Sequence, residues 1–217
     1  MSGKGRRGTV GRERGGILIS FEGIEKVGKT TQIGRLSAWL GAQGFTPRVL
    51  REPGGTMLGE SLRSLLLHSG EIKNPEAELL LFAAARAELV TEVIRPSLSR
   101  GEIVILDRFA DSSVAYQGFG RGIDVKWIRI LNQHVTEGLR PDITFLLQGP
   151  SFYHGDDNIE KSGQEFFQRV EAGYNTMVAE DPSRWHVIPS ARPIDEVAKV
   201  IQSVVKSYLV EDRSRRG

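Results

Sequence analysis

Eight consecutive residues near the start of the chain, Gly23-Ile24-Glu25-Lys26-Val27-Gly28-Lys29-Thr30, restrict its fold and chemistry more than any other feature. They fit G-x-x-x-x-G-K-[ST], follow an apolar run at Ile17–Phe21 and lead into a helical pattern, so the loop joins a strand to a helix. Glycines let backbone N–H groups approach phosphate oxygens, and the helix N-terminus adds partial positive charge. In such a loop Lys29 reaches the β- and γ-phosphates and Thr30 offers its hydroxyl to Mg²⁺. Gly23 to Thr31 is therefore the candidate site for ATP with Mg²⁺, and the chain reads as a P-loop phosphoryl-transfer protein.

The rest of the periodicity agrees with that start. Short apolar runs at Ile17–Phe21, Arg48–Arg51, Ile103–Leu106, Ile143–Leu147 and His186–Ile188 predict strands. Between them, amphipathic stretches predict helices near 29–42, 57–67, 75–95, 124–137, 163–180 and 193–209. Asn74-Pro75 has the form of a helix start, and Pro96 is expected to close that helix. Alternating strands and helices imply an α/β fold with a parallel sheet covered on both faces. At 217 residues, with 39% hydrophobic composition, the chain suits one domain with a substantial core.

Charge decides between partner classes. The pI near 9.0 suggests nucleic acid, but residues 1–16 carry +4 and residues 211–217 carry +1, which leaves residues 17–210 at −3. The folded part is mildly acidic, and the basic ends read as solvated flexible tails, 1–15 and 211–217, flanking a domain at 16–210. Nucleic acid is not expected as a partner. The chain has no cysteine, which excludes disulfides and thiol chemistry and suits a reducing cytoplasm, and no apolar run approaches a membrane span. The expected location is cytoplasmic.

A second element belongs with the loop. Glu102-Ile103-Val104-Ile105-Leu106-Asp107 is an apolar strand ending in a carboxylate, the form in which Asp107 helps hold Mg²⁺ beside Thr30; taken alone, such an Asp is an ordinary turn residue.

Further motifs narrow the reading by resemblance. Phe21-Glu22-Gly23, Glu52-Pro53-Gly54-Gly55-Thr56, Leu62-Arg63, Phe82-Ala83-Ala84-Ala85-Arg86, Asp107-Arg108-Phe109 and Ala115-Tyr116-Gln117-Gly118 occur in the order and spacing of the thymidylate kinase family, which residues 16–209 resemble. That resemblance implies a P-loop kinase fold with a five-stranded parallel sheet, transfer of the γ-phosphate of ATP to dTMP, and a homodimer. It also implies an acceptor site. Phe82 and Arg86, four apart on one predicted helix, share a face from which a ring can stack on the pyrimidine and a guanidinium can reach its edge; by themselves they read rather as core packing for Phe82 and a solvated face for Arg86. Arg63 and Arg108 are implied to bind the dTMP phosphate, with Glu52 and Pro53 beside them. Tyr116 is implied to pack against the deoxyribose, Ser113 and Gln117 to line the same pocket, and Glu25 to approach the acceptor sugar and phosphate.

Departures from the family pattern matter too. Gln148 stands where the family has Asp, and the lid segment, about 149–163, holds no arginine, with Asn158 in the arginine's place in Asp157-Asn158-Ile159-Glu160. Lys26 is positioned to supply the missing charge in catalysis alongside Lys29, Arg108 and Glu25, and reads equally as an exposed loop lysine. Two alternatives follow: a weak or inactive nucleotide-binding homologue, or a P-loop kinase for another nucleoside monophosphate.

Overall fold

The computed structural model describes residues 15–68, 72–149 and 163–216, with side chains as far as Glu211. Five parallel strands, β1 (Ile17–Glu22), β2 (Arg48–Arg51), β3 (Ile103–Asp107), β4 (Ile143–Gln148) and β5 (Trp185–Pro189), lie in the order β2-β3-β1-β4-β5. β1 is central and buried along its whole length, which is why apolar residues fall on both of its faces. The two-residue period divides the core. Ile17, Ile19, Phe21, Ile103 and Ile105 enter one apolar cluster, whereas Leu18, Val104 and Leu106 enter a second cluster with Leu89, Val90, Ile94 and Phe109. This is the expected three-layer α/β/α fold.

Helices α1 (Lys29–Ala42), α2 (Met57–His68) and α3 (Pro75–Leu89) start where the sequence places them. Asn74 caps α3, its Oδ1 accepting from the N–H groups of Glu76 at 2.8 Å and Ala77 at 3.2 Å, with Pro75 following. Pro96 does not close this helix. A π-helical turn, Val90–Ile94, follows α3 and resets the register, so Pro96 falls in the first turn of α4 (Arg95–Ser99), where its missing N–H is not needed.

The segment after β3 was not legible as helix. A single turn, α5 (Ala110–Ser113), opens into a π-helical turn, Val114–Gly120, before α6 (Val125–Val135), whose start is capped by Asp124. Gly120 is required there, since a Cβ would lie 2.5 Å from the Phe166 ring on α7 (Gln164–Glu180). The last helix, α8 (Ile194–Arg216), runs beyond residue 209 and through most of the stretch read as a C-terminal tail. The N-terminal tail up to residue 14 and the lid at 150–162, with His154, Asp157, Asn158 and Glu160, lie outside the described residues. Among the described residues, no helix is long and apolar enough to cross a membrane.

Candidate active site

The crossovers leave β1 on opposite sides of the sheet, toward β3 and β2 and toward β4 and β5, so a crevice opens at the carboxyl ends of the strands beside β1. The glycine-rich loop fills it. Gly23 adopts φ 127° with its Cα against β4, and a Cβ there would lie 2.4 Å from the Leu147 carbonyl oxygen. Ile24 and Val27 turn their side chains into the core and anchor the loop, leaving its backbone to face outward. At the start of α1, Gly28 offers no side-chain cap and the first turn holds no acidic residue, so its N–H groups are open to an anion.

Lys29 is 7% exposed, and its Nζ donates to the carbonyl oxygens of Gly23 at 3.1 Å and Ile24 at 2.7 Å. Burial foremost, then the charge of Arg108, bring its pKa from 10.5 to about 8. Thr30 Oγ1 donates to Asp107 Oδ2 at 3.3 Å, which brings a hydroxyl and a carboxylate together at the loop. These hard oxygen donors fit Mg²⁺, which is held by few protein ligands and completed by phosphates. Among the described residues no cluster of three or more His, Asp or Glu side chains suits a metal held by protein alone.

Arg108 and Lys26 both hold left-handed backbone, at φ 71° and φ 60°, a conformation that costs a non-glycine residue about 1–2 kcal/mol. Arg108 leaves β3 and folds back over the loop. Its NH2 donates to Glu25 Oε1 at 2.7 Å and to the Tyr116 hydroxyl at 2.9 Å, while its guanidinium lies 4.8 Å from the Tyr116 ring centre. Tyr116 in turn donates to Glu25, at 2.8 and 3.0 Å. The three residues form a closed triangle in which the carboxylate fixes both the cation and the ring.

On α3, Phe82 is half-buried and Arg86 only 1% exposed, so the alternative of a solvated face for Arg86 is wrong. Arg86 Nε donates to Glu52 Oε2 at 2.8 Å, NH1 to Asn132 Oδ1 at 2.7 Å, and NH2 to Ser113 Oγ at 3.0 Å and the Phe109 carbonyl at 3.3 Å. A guanidinium has five N–H donors, so one on NH1 is left over. Burial raises the Glu52 pKa against the pull of Arg86, and Glu52 Oε1 has no hydrogen-bond partner among the described residues. Gln117 is held by its amide N–H to Glu78 Oε1 at 2.8 Å, and Arg63 NH1 donates to the Pro53 carbonyl at 3.0 Å.

One cavity of about 450 Å³ joins these groups. It is lined by Glu25, Lys26, Gly28, Lys29, Thr30, Thr31 and Asp107 at the loop end and by Glu52, Pro53, Arg63, Phe82, Arg86, Arg108, Ser113, Tyr116 and Gln117 at the other. Of the residues picked from the sequence, only Gly23, Ile24 and Val27 stay out of it, in keeping with their anchoring role. Leu67 and Ser112 line it as well and were missed. Leu67 belongs to the apolar face of α2 by pattern, and Ser112 sits in the unpredicted turn α5, so nothing in the sequence marked either.

A phosphate-binding loop facing a second, aromatic and arginine-lined compartment across one cavity defines a P-loop kinase of small phosphorylated acceptors. Comparison with known proteins makes this specific: the family model described as thymidylate kinase matches residues 21–201, and the chain belongs to the thymidylate kinase family. It is 45% identical to a thymidylate kinase of Bifidobacterium longum subsp. infantis, over 89% of this chain and 88% of that one. It is 40% identical to that of Desulfovibrio desulfuricans, over 93% and 98%. The crystal structure of thymidylate kinase from Ehrlichia chaffeensis superposes with a TM-score of 0.77 at 37% identity, covering 88% of this chain and 98% of that chain.

Proposed function

We propose that the protein transfers the γ-phosphate of ATP to dTMP, giving ADP and dTDP. The observation that carries this reading is the single cavity with Lys29 and Thr30 at one end, Phe82 and Arg86 at the other, and Arg108 between them. Phe82 offers a stacking face for the pyrimidine, while the spare N–H of Arg86 and the Ser113 hydroxyl meet its polar edge. Tyr116, fixed by Glu25, is the ring that packs against the deoxyribose where a 2′-hydroxyl would sit. Arg63 and Arg108 receive the acceptor phosphate.

Transfer then depends on alignment and charge. A dTMP phosphate oxygen attacks the γ-phosphorus in line, the bond to the β-bridging oxygen breaks, and ADP leaves. Lys29 follows the γ-phosphate, Arg108 lends its charge between the two substrates, and Lys26 supplies charge beside them. Thr30 and Asp107 would hold Mg²⁺, which would further neutralise the phosphates.

Homodimerisation is part of the same reading. Met57, at 89% exposed, with Leu58, Leu65, Leu80, Trp127 and Ile130 forms an apolar surface on three neighbouring helices, α2, α3 and α6, of the kind a second copy covers. A coupled ADP-release assay with dTMP, dUMP, dGMP and no acceptor tests the activity. Rapid turnover with dTMP alone is expected, and equal rates with dGMP would overturn the acceptor assignment.

A further inference from the structure

Glu22 ends β1, is 0% exposed, and takes no part in lining the cavity, yet its carboxylate is surrounded by donors. Oε1 accepts from the Phe109 N–H at 2.8 Å, and Oε2 accepts from Ser112 Oγ at 2.6 Å and the Tyr174 hydroxyl at 3.0 Å. Both hydroxyl oxygens also face Arg108 NH1, at 3.3 Å from Ser112 and 3.4 Å from Tyr174. Each hydroxyl has one proton to give. The two hydroxyl oxygens also lie 3.0 Å from each other; with both protons directed to Oε2, they present only lone pairs to the guanidinium.

We propose that Glu22 is a positioning residue for the acceptor phosphate, directing the Ser112 and Tyr174 hydroxyls so that they hold one end of Arg108 while Glu25 and Tyr116 hold the other. The Phe109 N–H contact adds to this, because it pins the backbone immediately after the left-handed Arg108. Arg108 is thereby gripped at NH1 and NH2, which leaves its Nε–H, without a partner among the described residues, for the acceptor phosphate. This inference rests on dTMP being the acceptor.

Glu22→Gln keeps the shape and turns one acceptor into a donor. If the amide nitrogen takes the place of Oε2 it donates to both hydroxyls and turns their protons toward Arg108; in place of Oε1 it opposes the Phe109 N–H. Neither orientation serves every partner. Binding of dTMP and of thymidine, which lacks the phosphate, is measured by calorimetry at pH 8.5. Glu22 is ionised there, since burial first and then the charge of Asp111 bring its pKa only to about 7.

The wild-type protein is expected to bind dTMP more tightly than thymidine. Glu22→Gln should lose about tenfold for dTMP, the order of one misdirected hydrogen bond to a charged group, and hold thymidine unchanged. Tyr174→Phe, at a residue outside the cavity and 1% exposed, should show the same selective loss and decides the matter if Glu22→Gln does not fold. Arg108→Met should remove the effect of either change. Equal losses for both ligands, or none for either, overturn the positioning role. A wild-type protein that gains nothing from the phosphate overturns the acceptor reading instead.

Discussion

Replacing Lys29 by Met should change the pH dependence of stability in a way that can be worked out beforehand. The lysine is buried against the loop carbonyls, and its pKa falls from 10.5 to about 8, chiefly through burial. Below pH 8 the folded and unfolded chains both carry the proton, so the folded state bears the full cost of a buried charge. Between pH 8 and 10.5 the unfolded chain keeps a proton that the folded chain has released, so stability rises with pH. Above 10.5 both are neutral and the cost is gone. Over about 2.5 pH units, at 1.36 kcal/mol for each, the excursion is about 3 kcal/mol. Methionine has a similar length and no titration, so the difference between the two proteins isolates this one group. Urea unfolding of both at intervals from pH 7 to 11 should show the wild type gaining about 3 kcal/mol on Lys29→Met, while the variant transfers no phosphate at any pH. A difference that stays flat to within about 1 kcal/mol across that window would refute the argument that the loop holds its lysine charged against burial.

Phosphates in the loop should raise the lysine's affinity for its proton, so ATP binding at pH 9 is expected to take up a proton, read by calorimetry in buffers of different ionisation enthalpy. Phe82→Ala should weaken dTMP by about 1–3 kcal/mol, the worth of a lost aromatic stack on a base, and leave ATP affinity unchanged by fluorescence titration. Gly23→Ala places a Cβ 2.4 Å from a backbone oxygen at φ 127°; a loss of at least about 1–3 kcal/mol in denaturant unfolding, with loss of activity, is expected. Lys26→Ala should lower kcat by more than tenfold with little change in either KM; a kcat within about threefold, about 0.6 kcal/mol, would place the transition-state charge elsewhere.

The phosphate loop and Asp107 were legible because their signals are local: spacing, glycines and an apolar run on either side. The residues of the proposed acceptor pocket were picked out through short motifs, but their state was not legible. Arg86 could not be read as buried, because the groups that make burial tolerable, Glu52, Asn132 and Ser113, come from three distant segments. Pro96 misled for a different reason. Proline ends a helix when the register is α, and only the preceding π turn makes room for it. The stretch from Ala110 to Gly120 carries two glycines and no helical period, so Ser112 was hidden along with its turn.

The π turn at Val114–Gly120 has a consequence for how the chain can vary in length. An α-helix advances about 100° per residue, so deleting one residue and restoring α-helical winding would rotate Tyr116 and Gln117 by about that angle relative to α7 and β3. Tyr116 would leave Glu25 and Arg108, and Gln117 would leave Glu78. A deletion scan from Ser112 to Arg121 should therefore find no tolerated single-residue loss. The exposed turn at Glu137–Gly138, which ends α6 in left-handed backbone and touches none of these groups, should accept one. Seen in this way, the extra residue of the π turn acts as an indexing tooth that keeps the acceptor pocket in phase with the phosphate loop.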